Sequence, residues 1–104
     1  MESSDAIRAL SALAHDGRLG LVRSLVRAGP DGIAAGALAR GAGLAPSTAS
    51  AQLLVLANAG LVRSARAGRQ VRYCAEYGQL GALVEFLIRD CCRDASEQEG
   101  KTCC

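Results

Sequence analysis

Apolar residues recur along this chain with a helical spacing in five stretches and with an alternating spacing in one. Ile7, Leu10 and Leu13 fall every three positions, with Ala6, Ala9 and Ala14 beside them, so residues 5–14 read as a first helix. After His15-Asp16-Gly17, the set Leu19, Val22 and Val26, flanked by Leu21 and Leu25, repeats the pattern until Gly29-Pro30 stops it. Residues 32–43 are rich in alanine and support a short third helix ended by Gly41 or Gly43. Pro46 suits a first helical position, and Ala49, Leu53, Leu56 and Ala57 form the stripe of a fourth helix closed by Asn58-Ala59-Gly60.

The period then changes. Val62, Val71 and Tyr73, with alternating arginines and small residues around Gly68, predict a β-hairpin over residues 62–67 and 69–75. From Gly78 onward Leu80, Leu83, Val84, Leu87 and Ile88 give the strongest amphipathic pattern of the chain and a last helix. Cys91 and Cys92, three and four positions after Ile88, extend its seam to the helix end. Residues 94–104 have no apolar period and are expected to form a flexible tail that ends in cysteines.

The order of elements is four helices, a hairpin and a closing helix. It predicts a mainly α fold: a winged helix-turn-helix domain over residues 1–93 with a small β-hairpin wing. A length of 104 residues allows one compact domain but not two independent cores. A helical domain this small often gains stability by dimerising, so a homodimer is expected. Charged or glycine residues break every apolar run well short of the roughly 18 residues needed to cross a bilayer. The polar, acidic start Met1-Glu2-Ser3-Ser4-Asp5 lacks the features of a secretory signal, so a cytoplasmic protein with no membrane partner is expected.

Charge refines this picture by its position. The net charge is only +2, yet residues 6–75 hold nine arginines against Asp16 and Asp31, a balance of +7. Residues 76–104 balance to −3 and residues 1–5 to −2. A basic centre suits a polyphosphate such as DNA, although an arginine-rich composition alone produces a similar count. One histidine, no paired carboxylates and no phosphate-binding loop leave no catalytic constellation, so an enzyme is not expected.

A recognition helix presents hydrogen-bonding side chains from its first turns to the major groove. Ser47, Thr48, Ser50 and Gln52 occupy those positions, with Gln52 able to pair with adenine through two bonds. In the wing, Arg66, Arg69 and Arg72 are the candidate phosphate contacts. With Ala67-Gly68 as the turn, Arg66 would face Arg69 and Arg63 would face Arg72, an opposition of like charges that a bound phosphate relieves. A longer loop would change that register, and a merely solvated arginine ribbon remains the alternative.

Several segments resemble the ArsR/SmtB family of bacterial metal-responsive repressors, over about residues 6–92. Leu10-Ser11-Ala12-Leu13-Ala14-His15-Asp16-Gly17-Arg18-Leu19 resembles the family's opening junction, where Pro often stands at the place of Asp16. Ser47-Thr48-Ala49-Ser50-Ala51-Gln52-Leu53 resembles its recognition helix, with Gln52 where His is usual. Leu56-Ala57-Asn58-Ala59-Gly60-Leu61-Val62 and Gly68-Arg69-Gln70-Val71-Arg72-Tyr73 resemble the exit into the wing and its return strand. The resemblance implies a homodimer joined through the first and last helices, bound to an inverted-repeat double-stranded DNA operator and released by an inducer. The family's zinc ligands and its Cys-x-Cys pair beside the DNA-binding helix are both missing from the matching positions. His15 stands without a nearby second ligand and fits a helix-start role.

Five cysteines in a reducing compartment are not read as a disulfide framework. Cys91, Cys92 and a tail cysteine, Cys103, supply the three thiolates that trivalent arsenic accepts in a pyramid. Their placement resembles an arsenic-sensing subgroup with vicinal cysteines at the end of the last helix. As(III), as arsenite or methylarsenite, or antimonite, is the implied inducer. Cys104 could replace Cys103, and Cys74, on the wing strand, is expected to be buried as a small hydrophobe. Two alternatives stay open: a repressor switched by thiol oxidation, and a thiol carrier for arsenic or a soft metal that does not bind DNA.

Overall fold

The structure, a computed structural model, describes residues 1–90 and Arg93. The described chain runs α1 (Ser3–Leu13), α2 (Asp16–Ala28), β1 (Ile33–Ala34), α3 (Ala35–Ala42), α4 (Pro46–Asn58), β2 (Val62–Ala67), β3 (Gln70–Ala75) and α5 (Tyr77–Ile88). The expected mainly helical winged helix-turn-helix architecture is the one observed.

Local chemistry sets the boundaries. At the start of α1 the Glu2 N–H donates to the Asp5 carboxylate at 3.2 Å, satisfying one backbone donor ahead of the first turn. His15 begins α2 as its N-cap, Nδ1 accepting from the backbone N–H of Gly17 at 3.1 Å and of Arg18 at 3.4 Å. That is the helix-start role the sequence predicts. α3 ends where Gly43 turns left-handed (φ 69°) and the N–H groups of Gly43 and Leu44 reach back to the carbonyls of Arg40 and Ala39. The same closure recurs after α4 with Gly60 at φ 79°, Leu61 donating to Leu56.

Leu21, Leu25, Leu53, Leu56 and Leu61 are completely enclosed, so the core lies where α2, α4 and the start of the wing meet. α1 closes it with Ala6, Ala9 and Ala12, whose small side chains let the helix approach closely. Ile7 and Leu10, expected on the core side, point outward. α5 behaves alike: Leu83 is buried, whereas Val84, Leu87 and Ile88 are exposed.

Three further expectations change. Residues 33–34 form a short strand, not the start of the third helix, and β1 pairs antiparallel with β3 (Ile33 opposite Tyr73), giving a three-stranded sheet in the order β1-β3-β2. The hairpin turns on Gly68-Arg69 and not on Ala67-Gly68. Gly68 takes φ 66° as the first residue of a two-residue loop, which suits a type II′ turn. Arg66 therefore faces Val71, Arg72 faces Ala65 and Arg63 faces Cys74, so the predicted arginine-against-arginine pairs do not exist. Finally, α5 stops at Ile88. Arg89 is extended and Asp90 sits at φ 66°, so the helix ends before the Cys91-Cys92 pair that was expected to complete its seam.

Candidate nucleic-acid interface

The helix-turn-helix consists of α3, the left-handed turn at Gly43 and α4. Pro46 occupies the first turn of α4, where its missing N–H costs no hydrogen bond. Ala49, Leu53 and Leu56 anchor the inner side, so Ser47, Thr48 and Ser50 are exposed together at the start of the helix. This is the geometry by which a helix offers its first turns to a groove. Ala51 and Leu54 continue the same exposed side; Leu54 is 61% exposed. The sequence signal for Leu54 is its offset: it follows Leu53 of the inner stripe by one position and Ser50 by four, which sets it on the outer side.

Gln52 differs from its neighbours. It is half-buried, and its Oε1 accepts from Nη1 of Arg18 at 2.8 Å. The same guanidinium donates through Nε to the carbonyl of Ala12 at 2.6 Å. One side chain at the start of α2 thus joins the end of α1 to the recognition helix. Sequence reasoning gave Arg18 no site role. Its partner lies 34 positions away, and no local pattern connects the two.

The wing's arginines divide in two. Arg66, on β2, and Arg69, in the turn, are exposed and form no ion pair among the described residues. They are free to meet phosphate. Arg72 is instead half-buried, its guanidinium donating to the carbonyls of Asp31 at 3.2 Å and Gly32 at 3.1 Å, which ties β3 to the chain entering β1. Arg63 pairs with Glu76 at 3.3 Å. The structure therefore brings Ser47, Thr48 and Ser50 to one exposed helix start and Arg66 and Arg69 to an exposed wing tip, while Gln52 and Arg72 already hold protein partners.

The cysteine site is not brought into view. Cys91, Cys92 and Cys103 lie outside the described residues. Among the described residues no group of three His, Cys, Asp or Glu could hold a metal ion. Cys74 is buried at 8% exposure, with its thiol donating to the Pro30 carbonyl at 3.4 Å, as a small hydrophobe in a packed sheet should be. No helix among the described residues is long and apolar enough to cross a membrane.

The sequence matches the helix-turn-helix domain family over residues 13–65. A comparison with curated proteins finds no match. Among solved structures, the chain is similar to the homodimeric winged helix-turn-helix DNA-binding domain of a possible ArsR-family regulator from Mycobacterium bovis. Identity is 28%, the TM-score 0.67, and the alignment covers 95% of this chain and 88% of that one. It is similar also to the antimony-specific transcriptional repressor AntR, at 31% identity and a TM-score of 0.66, covering 94% of this chain and 85% of that one. Reduced HlyU from Vibrio cholerae is 28% identical with a TM-score of 0.67, covering 86% of this chain and 92% of that one. The matched segment takes in α2, the helix-turn-helix and the first part of β2, and the likeness to the M. bovis domain and to AntR extends over nearly all the rest: the chain belongs to the helix-turn-helix domain family, as a winged regulator of the ArsR/SmtB type.

Proposed function

We propose that this chain is a DNA-binding transcriptional repressor that acts as a homodimer on an inverted-repeat operator and releases it when trivalent arsenic or antimony binds cysteine thiolates. The observation that carries the reading is the pairing of an exposed polar helix start, Ser47, Thr48 and Ser50, with two exposed arginines, Arg66 and Arg69, on the neighbouring wing. Helix polar groups supply base contacts, and wing guanidinium groups supply the phosphate contacts that dominate affinity. The similar M. bovis domain is homodimeric and DNA-binding, and a two-fold dimer matches half-sites about one helical turn apart.

The inducer follows from thiol chemistry. Cys91, Cys92 and Cys103 offer three soft ligands of the kind that pyramidal As(III) and Sb(III) prefer, and a similar structure is that of an antimony-specific repressor. Cys91 and Cys92 follow the end of α5 in sequence by a few residues, and α5 carries an outward apolar face, so ligation there is proposed to change how two copies meet through that helix. A change in how two copies meet would alter the spacing of their recognition helices.

The test is fluorescence anisotropy on a duplex selected from a random-sequence library, with As(III) or Sb(III) titrated into the preformed complex. Wild type should release the duplex, while Cys91→Ser, Cys92→Ser and Cys103→Ser should hold it. A complex indifferent to both elements removes the inducer from the proposal. If peroxide alone causes release, reversed by a thiol reductant, the oxidation switch takes its place. If no duplex is retained at all, the carrier reading does.

A further inference from the structure

Arg18 fixes which end of the Gln52 amide is available. A guanidinium has five donors and no acceptor, so the amide end facing it must be the oxygen. The Nε2 amide therefore lies on the other side of the same carbon. It has no protein partner among the described residues, and no polar side-chain atom there is both fully buried and unpartnered, so Nε2 is not completely enclosed. Gln52 follows Thr48 by one helical turn, on a helix whose start is exposed for groove contact.

We propose that Arg18 is a specificity-determining residue: by holding Oε1 of Gln52 toward α2 it presents the Nε2 donors, ahead of the acceptor, to a base edge. This rests on the DNA-binding reading above and deepens it. A free glutamine suits adenine, because one end accepts from N6 and the other donates to N7. Held by Arg18, Gln52 has one Oε1 lone pair occupied and that end of the amide turned toward α2, so it offers its donors first. Its complement is an edge made of acceptors: guanine, with O6 and N7, is the best match, and thymine, with O4, the next. The second, Nε-mediated bond of Arg18 to the Ala12 carbonyl stops the guanidinium from turning away with the glutamine. The base preferred in the operator is thus set from the junction of α1 and α2, outside the recognition helix.

The experiment is selection of duplex DNA from a random library by the full-length chain, followed by competition with single-base variants. Wild type should select guanine or thymine at one position per half-site, and Gln52→Ala should flatten that position and leave the others. Replacing the guanine by adenine should weaken wild type roughly fivefold or more. In Arg18→Met, which keeps the length of the stem and loses the donors, that difference should vanish or reverse toward adenine. Gln52→Glu keeps a charge-assisted bond to Arg18 and turns acceptors outward, so the position should change to cytosine, whose N4 donates. A residue with a purely structural role would weaken every position alike and change none.

Adenine at the position that Gln52→Ala flattens would overturn the inference. So would an identical selected sequence for wild type and Arg18→Met; should Arg18→Met fail to fold by circular dichroism, a selected sequence unchanged in Gln52→Glu overturns it equally. In those outcomes wild type still selects DNA, and the DNA-binding reading stands. If wild type selects no sequence, that reading falls and this inference with it.

Discussion

At the start of α2 a single imidazole takes the place more often filled by serine or aspartate. Nδ1 of His15 accepts two backbone N–H groups, so it carries the lone pair and any ring proton sits on Nε2. His15→Ala should lower stability by about 1 kcal/mol, read as a lower urea midpoint at unchanged slope, while His15→Asn, with an oxygen in reach of the same donors, should recover most of it. The wing arginines also differ residue by residue. Replacing Arg66 and Arg69 together by Ala should leave the melting temperature unchanged and reduce the slope of log affinity against log salt by about 2. Arg72→Ala should do the reverse. It removes two charge-assisted bonds to the carbonyls of Asp31 and Gly32, so the loss appears in stability, about 1 kcal/mol, before it appears in the salt slope.

Elements were legible in the sequence to the extent that they repeat. Each of the five helices contains two or more turns, enough for a 3.6-residue period and its glycine or proline stops to emerge. β1 has two residues and no period, and it exists because β3 offers Ile33 and Ala34 an open edge. The hairpin was legible and its register was not, since Gly68 serves equally as the first or the second loop residue and a shift of one reassigns every pair. The linkage of Arg18 to Gln52 spans 34 positions, beyond any local signal. Gly32 tests the missed strand. It lies at φ 72°, and a methyl group there would meet the Tyr73 carbonyl oxygen and come within 2.7 Å of the Cys74 sulfur. Gly32→Ala should cost about 2 kcal/mol or more by thermal unfolding, since strain and collision add. Gly68→Ala also has positive φ but open space around it, and should cost only about 1 kcal/mol. Equal losses at the two glycines would mean that β1 does not press on β3.

For the whole molecule, the outward faces of α1 and α5 matter most. The two helices touch, and Ile7, Val84, Leu87 and Ile88 stand 57–66% exposed on them. On α1 the alanine stripe and the Ile7–Leu10 stripe share one period and are offset by one residue, so the pattern alone could not say which faces the chain's own core. The structure gives the alanines to the core and leaves the larger side chains outside. Apolar groups clustered on two adjoining helices mark a contact surface, and a second copy of the same surface is a self-complementary partner. Leu87→Glu places a charge in the centre of that surface. Because Leu87 is 57% exposed in the single chain, the substitution should leave the fold and its circular dichroism intact. It should convert a dimer into a monomer by analytical ultracentrifugation. Linking two half-sites raises the effective concentration of the second binding event, so operator affinity should fall by roughly a hundredfold or more, with each half-site still bound weakly. A Leu87→Glu chain that stays dimeric, or a monomer that keeps full affinity, would show that the paired recognition helices are joined through some other face.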